Sequence, residues 1–173
     1  MYKFNRVVPE DIAISAILRV GDSVNARFAA RSRTYQYRMH REKNPFLNDT
    51  SYFCHFDLDI ESMNKAASLL LEVSDFSSFS KLNTQTKTNT CKVTEALWSE
   101  KGNVLVFQIS ADRFLRNMVR AIVGTLLEVG QHKMSIENFK EVIMSKNRSK
   151  AGFSVPAQGL FLTRISYSEE IFI

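Results

Sequence analysis

Cations and rings are the residues of this chain whose spacing could do chemistry. Arg113, Arg116 and Arg120 follow one another at steps of three and four, with Asn117 beside them. On a helix such steps share one arc, and a guanidinium, with five donors in a planar fork, suits bidentate capture of phosphate or carboxylate. The arc could line a charged cleft, or it could be a solvated helix face on which cations cluster. Arg120 differs in kind. Val119, Ala121 and Ile122 flank it, so its charge is expected to be partly buried, and a buried cation needs a partner because desolvating it unpaired is costly. No carboxylate close to it in sequence is an obvious candidate.

A second segment, 25–37, interleaves Arg27, Arg31 and Arg33 with Phe28, Tyr35 and Tyr37. Cations that track phosphates, joined to rings that stack on unpaired bases, suit single-stranded or looped RNA. The alternative is that the two tyrosines are core residues of a strand, a reading with more weight for Tyr37 than for Tyr35, and that the arginines border a sheet. The charge balance leans the same way as the first reading: 23 Lys+Arg against 18 Asp+Glu, a net +5, favours polyanionic partners.

Other chemistries find little support. Cys54 and Cys91 form no metal or disulfide pattern, and His40, His55 and His132 are too scattered to be a ligand set. Asp57, Asp59, Asp75 and Asp112 read best as caps or turn formers. No nucleophile triad and no glycine-rich phosphate loop is present, so motifs alone show no enzyme. The longest apolar stretch, 118–127, is broken by Arg120 and is shorter than the ~20 residues that span a bilayer. No signal peptide is evident at residues 1–11, which gives a cytoplasmic expectation.

The elements that must position these side chains follow from hydrophobic period. Apolar residues alternate at 12–20 and at 33–40, which predicts two strands; in the second, Tyr35, Tyr37 and Met39 share a face. Gly21-Asp22 makes a turn. Residues 59–71 change to a helical period through Ile60, Met63, Ala67, Leu70 and Leu71, with Asp57 or Asp59 as the cap. Residues 81–90 read as an exposed loop. A hairpin, 93–99 and 104–110, turns at Lys101-Gly102-Asn103, and Leu105, Phe107 and Ile109 point into the core.

The strongest helix is expected over 113–129, closed by Gly130 as a left-handed cap. A shorter helix follows Ser135, with Ile136, Phe139 and Ile143 inward, and a last strand lies near 160–167. The order β-β-α-β-β-α-α-β predicts an α+β fold, a largely antiparallel mixed sheet covered on one face by helices. With 173 residues, 45% hydrophobic and 24% charged, the chain is expected to be a single domain over 1–173, neither disordered nor fibrous.

Ala26-Arg27-Phe28-Ala29-Ala30 followed by Arg33-Thr34-Tyr35-Gln36-Tyr37 resembles the Arg-x-Tyr-x-Tyr segment of the tRNA pseudouridine synthase A (TruA) family. Phe114-Leu115, Met118-Val119-Arg120, Gly124 and Val129-Gly130 are similar to that family's main active-site helix. Pro156-Ala157-Gln158-Gly159-Leu160-Phe161-Leu162 is similar to its terminal strand. Asp75-Phe76-Ser77-Ser78-Phe79 and Pro9-Glu10-Asp11-Ile12 agree as well, so the resemblance runs through nearly the whole chain in order.

The resemblance implies an isomerase that converts uridine to pseudouridine in the tRNA anticodon stem-loop, on a base drawn out of its stack, with no cofactor and no metal. It implies that Tyr35 packs on the target uracil, that Arg120 pairs with the catalytic Asp, and that Leu160 closes the pocket. Arg27, Arg31, Arg113, Arg116 and Asn117 are weaker RNA-binding candidates. Family members carry, upstream of the Pro-Glu-Asp-Ile segment, a Gly-Arg-Thr-Asp-x-Gly-Val-His loop that supplies the nucleophile Asp. That loop is missing from this sequence. The expectation is therefore the C-terminal, catalytic-domain portion of a homodimeric cytoplasmic synthase, inactive alone; the alternative is a non-catalytic RNA-binding or dimerisation module.

Overall fold

In the computed structural model, which describes residues 1–81 and 88–173, the alternation at 33–40 becomes the central strand of a five-stranded sheet. The strands are β1 (Ser32–His40), β2 (Tyr52–Phe53), β3 (Val93–Lys101), β4 (Val104–Ala111) and β5 (Leu160–Ser166). β1 pairs antiparallel with β4, setting Tyr35 opposite Ile109 and Tyr37 opposite Phe107. On its other side β1 pairs antiparallel with β5, where Tyr37 faces Leu160 and Tyr35 faces Leu162, and parallel with the short β2. β3 and β4 form the expected hairpin, and Gly102 takes the positive φ of 58° that its turn requires.

Side-chain alternation gives the sheet two unlike faces. Tyr37, Met39, Leu105, Phe107, Ile109, Ala96 and Trp98 are buried in one apolar core, and each large side chain removed from water contributes roughly 1.5–3 kcal/mol. The opposite face is polar and internally paired: Thr34 meets Ser110 at 2.8 Å, Gln36 donates to Gln108 at 2.9 Å, and Gln108 donates to Glu95 at 2.8 Å.

Three helices complete the core. α1 (Ile60–Ser68) is capped by Asp59, whose carboxylate accepts the Ser62 N–H at 2.9 Å, and it buries Met63, Ala66 and Ala67. α3 (Ile136–Met144) is capped by Ser135 and buries Phe139, Val142 and Ile143. α2 (Met118–Gly130) is buried at nearly every position, Arg120 and Glu128 being the exceptions. This is an α+β fold with a mostly antiparallel mixed sheet.

The unit Arg31–Ser166 holds all of these elements. A second unit consists of Met1–Ala30 with Tyr167–Ile173. In it the Asn5 side chain brackets the backbone of Ile14 at 2.9 and 2.7 Å, and the Tyr167 hydroxyl donates to the Ala26 carbonyl at 2.9 Å.

Three expectations are corrected. Residues 12–20 form no strand: Val20 makes one isolated bridge to Phe172, while Ile12, Ile17 and Leu18 are exposed. Alternation expresses a face preference, but a strand exists only where a neighbour completes its ladder. The short β2 takes the missing place in the element order. The second correction is that α2 begins at Met118, because Asn117 sits in the left-handed region at φ 70° and interrupts the helix.

Gly130 is the third correction. It is the last helical residue rather than a left-handed cap, and the positive φ falls on His132. What Gly130 supplies is space: a Cβ there would run into the Met63 side chain and sit 3.2 Å from Leu58 Cδ2. The segment 81–90, read as an exposed loop, lies mostly outside the described residues.

Candidate active site

The candidate residues Tyr35, Arg120 and Leu160 lie on β1, the first turn of α2 and the start of β5, elements that pack against one another. Tyr37 shares β1 with Tyr35. The ring is wholly buried and its hydroxyl donates to the Pro156 carbonyl at 2.7 Å. Burial pushes this phenol well above its ordinary range; nearby Tyr52 adds to the rise and the Arg120 charge opposes it. Tyr37 is therefore a neutral hydrogen-bond donor that ties β1 to the chain entering β5. Gly159 makes that approach possible, since a Cβ there would lie 2.6 Å from the Arg38 carbonyl and 3.0 Å from the Tyr37 ring.

Tyr35, two residues back on the same face, is half-buried. Its ring meets Phe114 edge-on, with centroids 5.0 Å apart and planes at 81°, the geometry favoured by the ring quadrupoles. Among the described residues its hydroxyl has no hydrogen-bond partner. Leu160, opposite Tyr37 in the β1–β5 register, is also half-buried.

Arg120 enters from α2, half-buried between the buried Val119, Ala121 and Ile122. Its Nε donates to the Val155 carbonyl at 2.5 Å, and its own carbonyl accepts the Val155 N–H at 3.2 Å. Among the described residues no carboxylate forms an ion pair with it. A neutral carbonyl orients the guanidinium without neutralising it, and among the described residues the Nη atoms make no hydrogen bond. The pairs Tyr37–Pro156 and Arg120–Val155 thus hold consecutive residues of one segment, joining the tyrosine strand to the arginine helix.

The remaining candidates are more scattered. Arg113 and Arg116 lie before α2, so the helical arc expected for Arg113, Arg116 and Arg120 does not form. Arg113 donates to Thr88 at 3.3 Å, and Arg116, exposed, accepts the Lys81 N–H through its carbonyl at 3.0 Å. Asn117 turns inward and donates to the Ser154 hydroxyl at 2.5 Å. Arg31 is exposed at the start of the larger unit, its N–H on the Ser166 carbonyl at 2.8 Å. Arg27 belongs to the smaller unit, its guanidinium 5.7 Å from the centroid of the Phe28 ring.

The acids behave as caps and turn residues. Asp59 caps α1, Asp75 accepts the Ser77 N–H at 3.0 Å, and Asp112 accepts N–H groups of Lys92 and Arg113, both at 2.7 Å. Among the described residues no group of three or more His, Cys, Asp and Glu could hold a metal ion, and no helix is long and apolar enough to cross a membrane.

Reading by charge and period missed the residues that shape the 151–155 segment: Arg148, Ser154 and Thr125. The signal available was the pair Gly124 and Gly152, two glycines where the chain has few.

Residues 66–168 match the family model described as tRNA pseudouridine synthase. Over 170 residues the chain is 51% identical to tRNA pseudouridine synthase A of Parabacteroides distasonis, covering 98% of this chain and 68% of that protein. It is 50% identical over 171 residues to the protein of the same name from Bacteroides fragilis, with the same two coverages. The more distant tRNA pseudouridine synthase A of Bacillus licheniformis is 38% identical over 168 residues, covering 96% of this chain and 68% of that protein.

Proposed function

The chain belongs to the tRNA pseudouridine synthase family, and on that premise we propose that it carries the arginine, the tyrosine and the pocket wall of a site that isomerises uridine to pseudouridine in the anticodon arm of tRNA. One observation carries the reading: a half-buried guanidinium, Arg120, is oriented by a neutral carbonyl and pairs with no acid among the described residues. The acid that completes it comes from outside these 173 residues, and relatives of which the chain spans 68% are long enough to hold one.

The chemistry balances without a redox partner. The bond from uracil N1 to ribose C1′ breaks, C5 bonds to C1′, C5 loses its proton and N1 gains one. The carboxylate acts as nucleophile or base in the first step, and Arg120 holds it ionised and aimed by an opposite charge at close range. Tyr35 packs on the uracil while it turns, with a free hydroxyl to help remove the C5 proton. Leu160 closes the other side and excludes water. Arg27, Arg31, Arg113 and Arg116 contact RNA outside the pocket, whereas Asn117 is engaged internally with Ser154. The protein works as a cytoplasmic homodimer and uses no cofactor or metal.

The test is tritium release from C5-labelled uridine in tRNA, measured alongside tRNA binding. Arg120→Ala and Tyr35→Ala in the active protein are expected to lower turnover by about a thousandfold or more, the scale of losing an electrostatic or proton-transfer partner, with tRNA affinity nearly unchanged. The 173 residues alone are expected to form no pseudouridine. Turnover by the isolated chain, or full activity of Arg120→Ala, overturns the assignment.

A further inference from the structure

Arg148 carries a guanidinium that makes three hydrogen bonds to the chain just downstream of it. It lies in a short 3-10 turn, Arg148–Lys150, that follows α3. Its Nη1 donates to the carbonyls of Ala151 at 3.2 Å and Gly152 at 3.0 Å, and its Nη2 donates to the Ser154 hydroxyl at 2.9 Å. A planar fork with several fixed donors can hold three acceptors at once; a lysine ammonium, a point charge on a flexible stem, cannot hold the same geometry.

The segment so gripped is also fastened to α2. The Ser154 hydroxyl accepts a second hydrogen bond from Asn117. The Gly152 N–H donates to the hydroxyl of the fully buried Thr125 at 3.0 Å, and that hydroxyl donates to the Ala121 carbonyl at 2.8 Å. Where segment and helix cross, neither backbone leaves room for a side chain: a Cβ on Gly124 would strike the Phe153 carbonyl, and one on Gly152 would lie 3.0 Å from the Thr125 backbone. Val155, which follows Ser154, accepts from Arg120 Nε through its carbonyl.

We propose that Arg148 is a positioning residue for the isomerisation: by fixing segment 151–155 it sets the Val155 carbonyl, and that carbonyl sets the plane of the Arg120 guanidinium toward its acid. The inference rests on the catalytic reading of Arg120 given above. Arg148 touches neither substrate nor acid. It acts through the backbone of residues 151–155.

The Arg120 Nε–H resonance of the 173-residue chain, labelled with nitrogen-15 and assigned by its loss in Arg120→Lys, reports this coupling without any need for turnover. In Arg148→Met the resonance is expected to move toward the position of solvent-exposed arginines, and its proton to exchange with water about tenfold faster or more, as for a locally loosened hydrogen bond. Should Arg148→Met fail to fold, Ser154→Ala removes the acceptor shared by Arg148 and Asn117 with a smaller perturbation, and the same shift is expected. An unmoved resonance in a folded variant overturns the proposal.

Turnover then separates this proposal from the reading beneath it. In the active protein Arg148→Met is expected to lower the single-turnover rate by roughly tenfold to a hundredfold, the scale of a misplaced catalytic group, with tRNA affinity held within about twofold. A moved resonance with an unchanged rate upholds the coupling and instead overturns the assignment of Arg120 to the chemistry.

Discussion

Gly124→Ala is a substitution that helix propensity alone would recommend. In the interior of a helix, alanine in place of glycine is favourable by roughly 0.5–1 kcal/mol. At position 124 the new Cβ would lie on the Phe153 carbonyl oxygen, with the carbonyl carbon 2.9 Å away. Both obstacles are backbone, so relief requires segment 151–155 to move as a unit. Overpacking of this kind costs about 1–3 kcal/mol. A moved segment also weakens the paired hydrogen bonds between Arg120 and Val155 and the bond from Gly152 to Thr125, each contributing about 0.5–1.5 kcal/mol.

The net expectation is a destabilisation of about 2–3 kcal/mol, which lowers Tm by roughly 5–10 °C in a chain of this length. Calorimetry and urea unfolding measure it. Gly130→Ala is the comparison: its new Cβ meets side-chain atoms of the buried Met63 and Leu58 rather than backbone, so side-chain repacking can relieve part of the clash and the loss should stay at the low end of the overpacking range, about 1 kcal/mol. A Gly124→Ala chain as stable as the parent would refute the reasoning, since it would mean that the segment yields freely and transmits nothing to Arg120.

Two further substitutions test the Tyr37–Pro156 tie and the core. Tyr37→Phe removes the hydroxyl that donates to the Pro156 carbonyl inside a fully buried environment, and a loss of about 1–2 kcal/mol is expected from the urea midpoint. Cys91 is buried, and burial pushes its thiol up to about 11 against the opposing charge of Arg113. The neutral thiol is thus the form the fold favours. Its contribution to stability is fully present below the unfolded thiol pKa of about 8.5 and is lost as pH rises through about 11, an effect of about 3 kcal/mol. Stability profiles of the parent and of Cys91→Ala between pH 8 and 11 should converge as pH rises. Parallel profiles would show that the thiol titrates normally.

Local pattern was sufficient for much of this protein. The alternation of Tyr35, Tyr37 and Met39, the Gly102 turn, and the helices begun at Asp59 and Ser135 are properties of short stretches, because period and capping act between residues at most a few positions apart. The apolar flanks of Arg120 likewise marked its charge in sequence as partly buried, with no carboxylate close by in the chain. What lay beyond reach depends on backbones meeting across long separations. Residues 12–20 alternate like a strand and remain without a ladder; Asn117 breaks a helix that the apolar spacing would have begun earlier; Gly124, Gly130 and Gly152 are small because another segment crosses them. The grip of Arg148 on residues 151–154 is close in sequence, but its consequence for Arg120 exists only once that segment lies against α2. Sequence period records which face of an element avoids water. Which element lies on that face, and therefore where a guanidinium finally points, is decided by close packing between parts of the chain that carry no trace of each other in their order.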